Sequence, residues 1–475
     1  MSMGGLMEEK TKSDMHSTLF KEYEWYVPSN FNIASACCHR WASSPHEARL
    51  AAIYFEDQVG QLTSLSYGQL SEKVNKLANG FVRMGIHPQD RIAIALQHSA
   101  ETAITILAAI TVGAIAVPLG ISEDSQYYAN RLIDCGARIA IVDKHSFTPF
   151  LHAVDHSSQL KNSLKQIIGI NTEDERLIPW KALLARQPKD FNVIPVRPDT
   201  TAILLYPDVG TEAENLRKNK VSDSVSEVSE LKATVISHET LIGGLPGFTC
   251  SQDWFPQNKD IFFTTYDWSS YYGLMGGLLP TLYFGRTIVG CPGGRTVPRL
   301  LSLIEHYPVT NFFTSSEELE RIRAFSGVLS KCDSGLRCVS TIAQGCSPAL
   351  EFWLRESTNF KFNKLLMPQG FSTIISESNA KWPSVPGSVG KAVPGYELAV
   401  LDPKGNKVKT NSFGTLHVKE TDKNDDSSPG VCTLYWHSNF LHPVPIINDQ
   451  WFNTGIEIKV DKNGYYWLRD SNKGN

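Results

Sequence analysis

Several things are scarce in this chain, and each scarcity narrows the reading. Its 475 residues carry 45 Lys and Arg against 49 Asp and Glu, for a net charge of −4. No basic stripe offsets that balance, so a nucleic-acid partner is not expected. The nine cysteines are scattered and form no C-x-x-C pair. That pattern fits reduced thiols in a cytoplasmic protein. Cys37-Cys38-His39 invites a metal reading, but adjacent ligands without a second pair read better as helix packing. Met1 to Tyr26 mixes Glu8, Glu9, Lys10, Lys12 and Asp14 and lacks the apolar core of a signal peptide. One uncharged run, Thr102 to Gly120, approaches the length of a membrane span. Its threonines, Gly113 and Pro118 point instead to a buried helix followed by a buried strand. Glycine is locally scarce as well, with Gly210 alone between Pro207 and Lys232. That stretch carries Asp208, Glu212, Glu214, Asp223, Glu227 and Glu230 against Arg217, Lys218, Lys220 and Lys232.

What is present is an ordinary globular composition, 42% apolar and 20% charged. At a prior of roughly 150 residues per domain the length predicts two or three units. Ser66 and Gln69 form a capping-box pattern, after which Leu70, Val74, Leu77 and Phe81 recur at helical spacing and Gly85 closes the helix. Arg91 to Leu96 reads as a strand, 99–112 as a helix, Ala114 to Pro118 as a strand and Asp124 to Cys135 as a helix stopping at Gly136. Such alternation predicts an α/β protein with a parallel, helix-flanked sheet. Ile261 to Thr264, Thr287 to Val289 and Val309 to Phe313 continue the theme. From Gly387 the chain changes to short strands separated by turns such as Asp402-Pro403-Lys404-Gly405 and Asp461-Lys462-Asn463-Gly464. The expected division is an N-terminal extension over 1–22, an α/β core over 23–385 and a smaller β-rich subdomain over 386–470.

Ordered motifs carry a resemblance along nearly the whole chain. They include Trp25-Tyr26-Val27-Pro28, Leu65-Ser66-Tyr67-Gly68-Gln69-Leu70, Gly113-Ala114 with Pro118-Leu119, and Asp267-Trp268. Later come Pro386-Gly387-Ser388-Val389-Gly390-Lys391 and Val393-Pro394-Gly395-Tyr396. Together they resemble the AMP-forming acyl-CoA synthetases, the adenylate-forming ligases, and among them the acetyl- and short-chain members. The resemblance implies the large N-terminal domain of that fold. It also implies ATP, Mg²⁺ and CoA as cofactors, with a small carboxylic acid or its acyl-adenylate as ligand.

The same resemblance makes the departures visible. Tyr206 and His238 border the place where the family has a Gly/Ser/Thr-rich phosphate loop, and the acidic, glycine-poor stretch 207–232 stands there. Glycines let backbone N–H groups reach phosphates and a Lys adds charge, so this stretch is a poor cradle. It is expected instead to be a peripheral insertion that docks a protein partner. His238 on its own also reads as a structural histidine. At the family's Tyr-Gly-x-Thr-Glu, which stacks adenine and serves phosphate and Mg²⁺, counting back from Trp382 without gaps gives Met367 to Phe371, and a small shift gives Gln369-Gly370-Phe371-Ser372-Thr373. Neither supplies the Glu, and Glu377 lies too far along. Where the family has Thr-Gly-Asp, with Asp on the ribose hydroxyls, this chain has Thr454-Gly455-Ile456. Strand alternation puts Ile456 toward the core and Glu457 on the other face. Gln344 stands near the family's adenine-contact element. Phe263, Asp267, Trp268 and Gly273 fall where relatives build the acyl pocket, with aromatic core packing as the alternative. Beyond Arg469-Asp470 the sequence stops at Asn475, so the family's mobile C-terminal domain and its catalytic Lys are expected to be absent. A pseudoenzyme that binds an acyl or nucleotide ligand is the first reading. A split ligase completed by another chain is the second, and a non-catalytic interaction scaffold the third.

Overall fold

The computed structural model describes residues 14–56, 61–207, 231–291, 296–326, 335–356, 359–448 and 450–469. The acidic stretch over 208–230 and the end of the chain beyond Arg469 lie outside them. The local signals of the first third are realised. Ser66 Oγ accepts from Gln69 N at 3.2 Å while Gln69 Oε1 accepts from Ser66 N at 2.9 Å, opening the helix Tyr67–Arg83. That helix buries Leu70, Val74, Leu77 and Phe81 completely. Gly85 follows it at φ 77°, a backbone region that costs glycine little. Helix Ser125–Cys135 ends in the same way on Gly136 at φ 60°.

The strands between these helices form the first of two nine-stranded sheets. Arg91–Ala95 lies between Ile115–Pro118 and Ile139–Asp143, parallel to both. Gln166–Ile170 continues on one side and Thr201–Leu205 with Ala233–Ser237 on the other. Helix Ala100–Thr111, the heart of the long uncharged run, is buried around nearly its whole surface. Among the described residues no helix is long and apolar enough to cross a membrane.

The second nine-stranded sheet has a parallel centre. Ile261–Thr264 pairs with Thr287–Val289 and with Asn311–Phe313, which pairs with Cys338–Ile342, which pairs with Lys361–Leu366. Ala51–Glu56 adds to one side, and Ile375–Ser376 with Lys391–Ala392 add antiparallel to the other. A third sheet of five strands is built on Leu398–Leu401, Gly414–Lys419 and Trp451–Val460.

The β-rich stretch 386–470 thus supplies strands to all three sheets. Its hairpin Leu434–His437 and Phe440–Pro443 leaves the third sheet and extends the first, with Tyr435 opposite Thr234. Asp134 fixes that crossing. Its carboxylate accepts from Ser438 N and Tyr206 Oη, and its carbonyl accepts from Trp436 Nε1 at 2.9 Å.

Candidate functional site

In an open parallel sheet the carboxyl ends of the strands form the natural ligand edge, because loops diverge there and leave a crevice. The second sheet has such an edge. Chain leaving Ile261–Thr264, Asn311–Phe313 and Cys338–Ile342 converges on an open cleft of about 330 Å³. Tyr266 and Tyr272 wall one side, their rings 5.1 Å apart, and Tyr266 packs on Phe313 at 4.8 Å. Ser315, Ser316, Glu317 and Glu320 wall another from the start of helix Ser316–Ser326. Ile342, Gln344 and Gly345 close the third, with Gly345 at φ 82°. Beneath the cleft the hydroxyls of Thr265 and Thr314 lie 2.6 Å apart and join the two strand ends.

Of the residues singled out from sequence, Gln344 is exposed in this cleft. Asp267 sits beside it in the turn before Tyr271–Gly273, where its carboxylate accepts from Ser269 N and Ser269 Oγ. Ser270 then caps the next turn by accepting from Gly273 N at 3.1 Å. Gly273 is required by close approach, since a Cβ there would overlap Asp267 O. Trp268 is fully buried, edge-on to His98 at 4.2 Å. Phe263 takes a different place from the one expected of an acyl-pocket wall. Its ring stacks on Phe312 at 5.3 Å, among Leu300, Ile304 and Val339 on one face of the sheet. Phe262 and Trp268 belong to the core on the other face. For Phe263 the structure shows core packing.

The positions implied for nucleotide are each held by the fold. Tyr206 is buried and donates to Asp134 Oδ2 at 2.6 Å, and burial pushes its hydroxyl pKa upward. Arg131, also buried, lies over Tyr127 and within reach of the Tyr206 ring. His238 is 1% exposed, and its Nδ1 accepts the Ile33 N–H at 3.1 Å. Burial lowers its pKa to about 4, so a neutral ring serves as a structural acceptor. Gln369 is exposed and donates to Thr234 Oγ1, whereas Gly370, at φ 85°, and Phe371 are buried. Cys432 N donates to Gly370 O, tying this turn to the segment that leads into the hairpin.

Thr454, Gly455 and Ile456 form a bulge. Thr415 pairs with Glu457 and His417 with Asn453, so three residues face Leu416 alone. Thr454 Oγ1 donates to Leu416 O at 2.8 Å, and Gly455 N donates to Asn453 Oδ1 at 2.7 Å. Ile456 packs half-buried against the core of the third sheet, as its alternation predicts. Glu457 is exposed and paired with Arg469.

Sequence reasoning missed Tyr266, Ser315, Glu317 and Glu320. Their only signal was position, just past strands whose carboxyl ends meet. It also missed the partners of Glu377, which is fully buried and bound by Arg355 and by Lys364 N.

Comparison with known proteins agrees with this architecture. The family model described as "AMP-binding enzyme" matches residues 39–207 and 229–422. The acetyl-coenzyme A synthetase of Nitrosomonas europaea is 24% identical over 94% of this chain and 68% of its own length. That of Laribacter hongkongensis is 22% identical with the same coverage. Among solved structures, an acyl-CoA synthetase of Brucella canis superposes with a TM-score of 0.82 at 18% identity, over 97% of this chain and 80% of that one. The anthranilate CoA ligase AuaEII, in complex with anthranoyl-AMP, gives 0.77 at 22% identity, over 93% and 78%. The shared fold is the N-terminal domain of the adenylate-forming ligases. The chain belongs to the AMP-binding enzyme family and, within it, to the AMP-forming acyl-CoA synthetases.

Proposed function

We propose that this protein binds an acyl-adenylate, or the small carboxylic acid and AMP that compose it, in the cleft at the carboxyl edge of the second sheet, and that it turns over Mg-ATP poorly. The observation that carries the binding reading is the cleft itself, walled by Tyr266, Tyr272 and Gln344, and Ile456 bears on how weakly a nucleotide is held there. The bulge that ends on it is built and stapled, yet its last side chain is a hydrocarbon packed half-buried on the core. A ribose diol presented to it finds no acceptor. The residues standing where the resemblance implies an Mg²⁺ carboxylate do not fit that ion either. Gln369, Phe371, Ser372 and Thr373 offer none, and Glu377 is engaged by Arg355. The acidic stretch after Pro207 supports weak triphosphate binding and suits docking to a protein partner. Scattered thiols without C-x-x-C support a cytoplasmic setting.

Calorimetric titration with Mg-ATP, and separately with non-hydrolysable acyl-adenylate mimics of several chain lengths, tests the reading. Micromolar binding of a mimic with weak or absent Mg-ATP binding is the expected result. Tight Mg-ATP binding followed by pyrophosphate release would overturn it in favour of a ligase completed by another chain. Silence with every ligand would leave only an interaction scaffold.

A further inference from the structure

Phe313 borders two spaces at once. Its ring packs on Tyr266 of the cleft wall at 4.8 Å, and it also lines a small interior cavity of about 10 Å³. Such a volume holds one water-sized group. Helix Glu239–Ser251, the helical turn Leu274–Leu278 and the ends of Asn311–Phe313 and Lys361–Leu366 enclose it. Phe248, Met275, Leu365 and Met367 supply apolar walls. Gln252, the residue after helix Glu239–Ser251, supplies a polar one and is 1% exposed. Its Nε2 donates to Ser340 Oγ at 2.7 Å, its carbonyl accepts from Asn311 Nδ2 at 2.9 Å, and its N–H donates to Phe248 O at 3.0 Å. Backbone and Nε2 are thus fixed, yet Oε1 has no partner among the described residues. A buried acceptor left unpaired is costly, and a donor entering the cavity removes that cost.

We infer, resting on the acyl-adenylate reading of the cleft, that this cavity receives the far end of the acyl chain and that Gln252 Oε1 selects a chain ending in a hydroxyl. The acid is then a short hydroxy acid. By size a terminal methyl and a terminal hydroxyl fit alike, and of the two only the hydroxyl donates to Oε1. A terminal ammonium is disfavoured, because no carboxylate among the described residues lines the cavity to balance it. A terminal carboxylate finds no cation there and has no proton to give. Gly244 and Gly276 keep the space open. A Cβ at Gly276 would come to 3.0 Å from the Phe313 ring, and one at Gly244 would meet Ser372 Oγ at 3.4 Å.

The test is calorimetric titration of the whole chain with non-hydrolysable acyl-adenylate mimics in matched pairs. Each pair has the same number of heavy atoms in the chain and ends in methyl or in hydroxyl, and several chain lengths are used. At the length that reaches the cavity the hydroxyl member should bind about tenfold tighter or better, because it alone satisfies the buried acceptor. Gln252→Leu and Gln252→Met should abolish or reverse that ratio, a change that a general loss of structure would not produce. Gly244→Ala fills the space and should weaken the preferred mimic more than the shorter ones. Binding of the mimics with no hydroxyl preference at any length would overturn the role of Gln252 and leave the acyl-adenylate reading standing. A preference that persists in both Gln252 variants would do the same. Failure of every mimic to bind would remove that reading and the hydroxy-acid assignment with it. The wild-type series decides even where a variant does not fold.

Discussion

Arg355 Nη2 donates to both carboxylate oxygens of Glu377, at 2.7 and 2.9 Å, and Glu377 is completely buried. The same arginine binds Glu351, and Glu351 in turn binds Lys364 Nζ at 2.6 Å. Burial, and to a smaller degree the Glu351 carboxylate, push the Glu377 carboxyl pKa upward, and Arg355 and Lys364 work against that shift. Glu351 lies lower than usual because Lys364 and Arg355 outweigh its burial. Such a group of charges holds together only as a set, since each ion is desolvated and relies on the others. Arg355→Met is therefore expected to cost about 3–5 kcal/mol of unfolding free energy, because it strands a buried carboxylate. The double variant Arg355→Met/Glu377→Leu should recover much of that loss. Denaturant titration of the three proteins decides it, and a double variant weaker than the single one contradicts the account.

His238 gives a pH signature with a definite sign. Its folded pKa is about 4 and its ordinary value is 6.5, with burial as the cause. Between those values the unfolded chain binds a proton that the folded one does not. Stability therefore falls as pH drops from 6.5 to 4, by up to about 3 kcal/mol, and this contribution is flat above 6.5. His238→Asn can keep an acceptor for the Ile33 N–H while removing the titration. The stability difference between wild type and variant, followed from pH 7 to 4, should narrow as the pH falls. A constant difference would remove His238 as the source.

How far the sequence reveals these features depends on how local their causes are. The Ser66–Gln69 box and the buried face of Leu70, Val74, Leu77 and Phe81 are legible because four consecutive turns contain the whole signal. Ile456 and Glu457 are legible for the same reason, since a strand alternates. Phe263 is not, because Ile261–Thr264 lies mid-sheet with Phe262 and Phe263 buried on opposite faces and no polar alternation marks either side. The hairpin 434–443 is not legible either. Its pairing with Ala233–Ser237 joins segments some 200 positions apart, and its own residues read equally well as part of the third sheet. The cleft is assembled in the same way from three strand ends, and no motif spells it.

Asp267 and Gly273 offer a direct separation of scaffold from site. Gly273 must stay free of a Cβ to lie against Asp267 O, and the turn they form positions Tyr272 at the cleft. Gly273→Ala is expected to cost about 3 kcal/mol, at the upper end for an added methyl in a packed place. Asp267→Asn should cost less than about 1 kcal/mol, because the amide oxygen still accepts from Ser269 N. If thermal melts show both variants equally stable, the turn is looser than its contacts imply.

The ribose position allows a gain-of-function test. Ile456 ends a bulge whose shape is set by Thr454 Oγ1 on Leu416 O and by Gly455 at φ 71°, and neither depends on the Ile456 side chain. Ile456→Asp therefore changes the chemistry at this position while leaving the backbone that holds it. The half-buried position makes the carboxylate costly in the free protein. Against AMP the new acceptor should regain a charged hydrogen bond of about 1.5–3 kcal/mol, which corresponds to tenfold tighter binding or better. Adenine alone should bind no differently, because it lacks the diol. Calorimetry with both ligands on wild type and variant distinguishes the cases. Tighter AMP with unchanged adenine ties the bulge to the ribose and places the nucleotide in this fold. Equal affinity for AMP before and after the substitution would detach the bulge from the ligand, and the argument for weak nucleotide binding would lose Ile456 as its support.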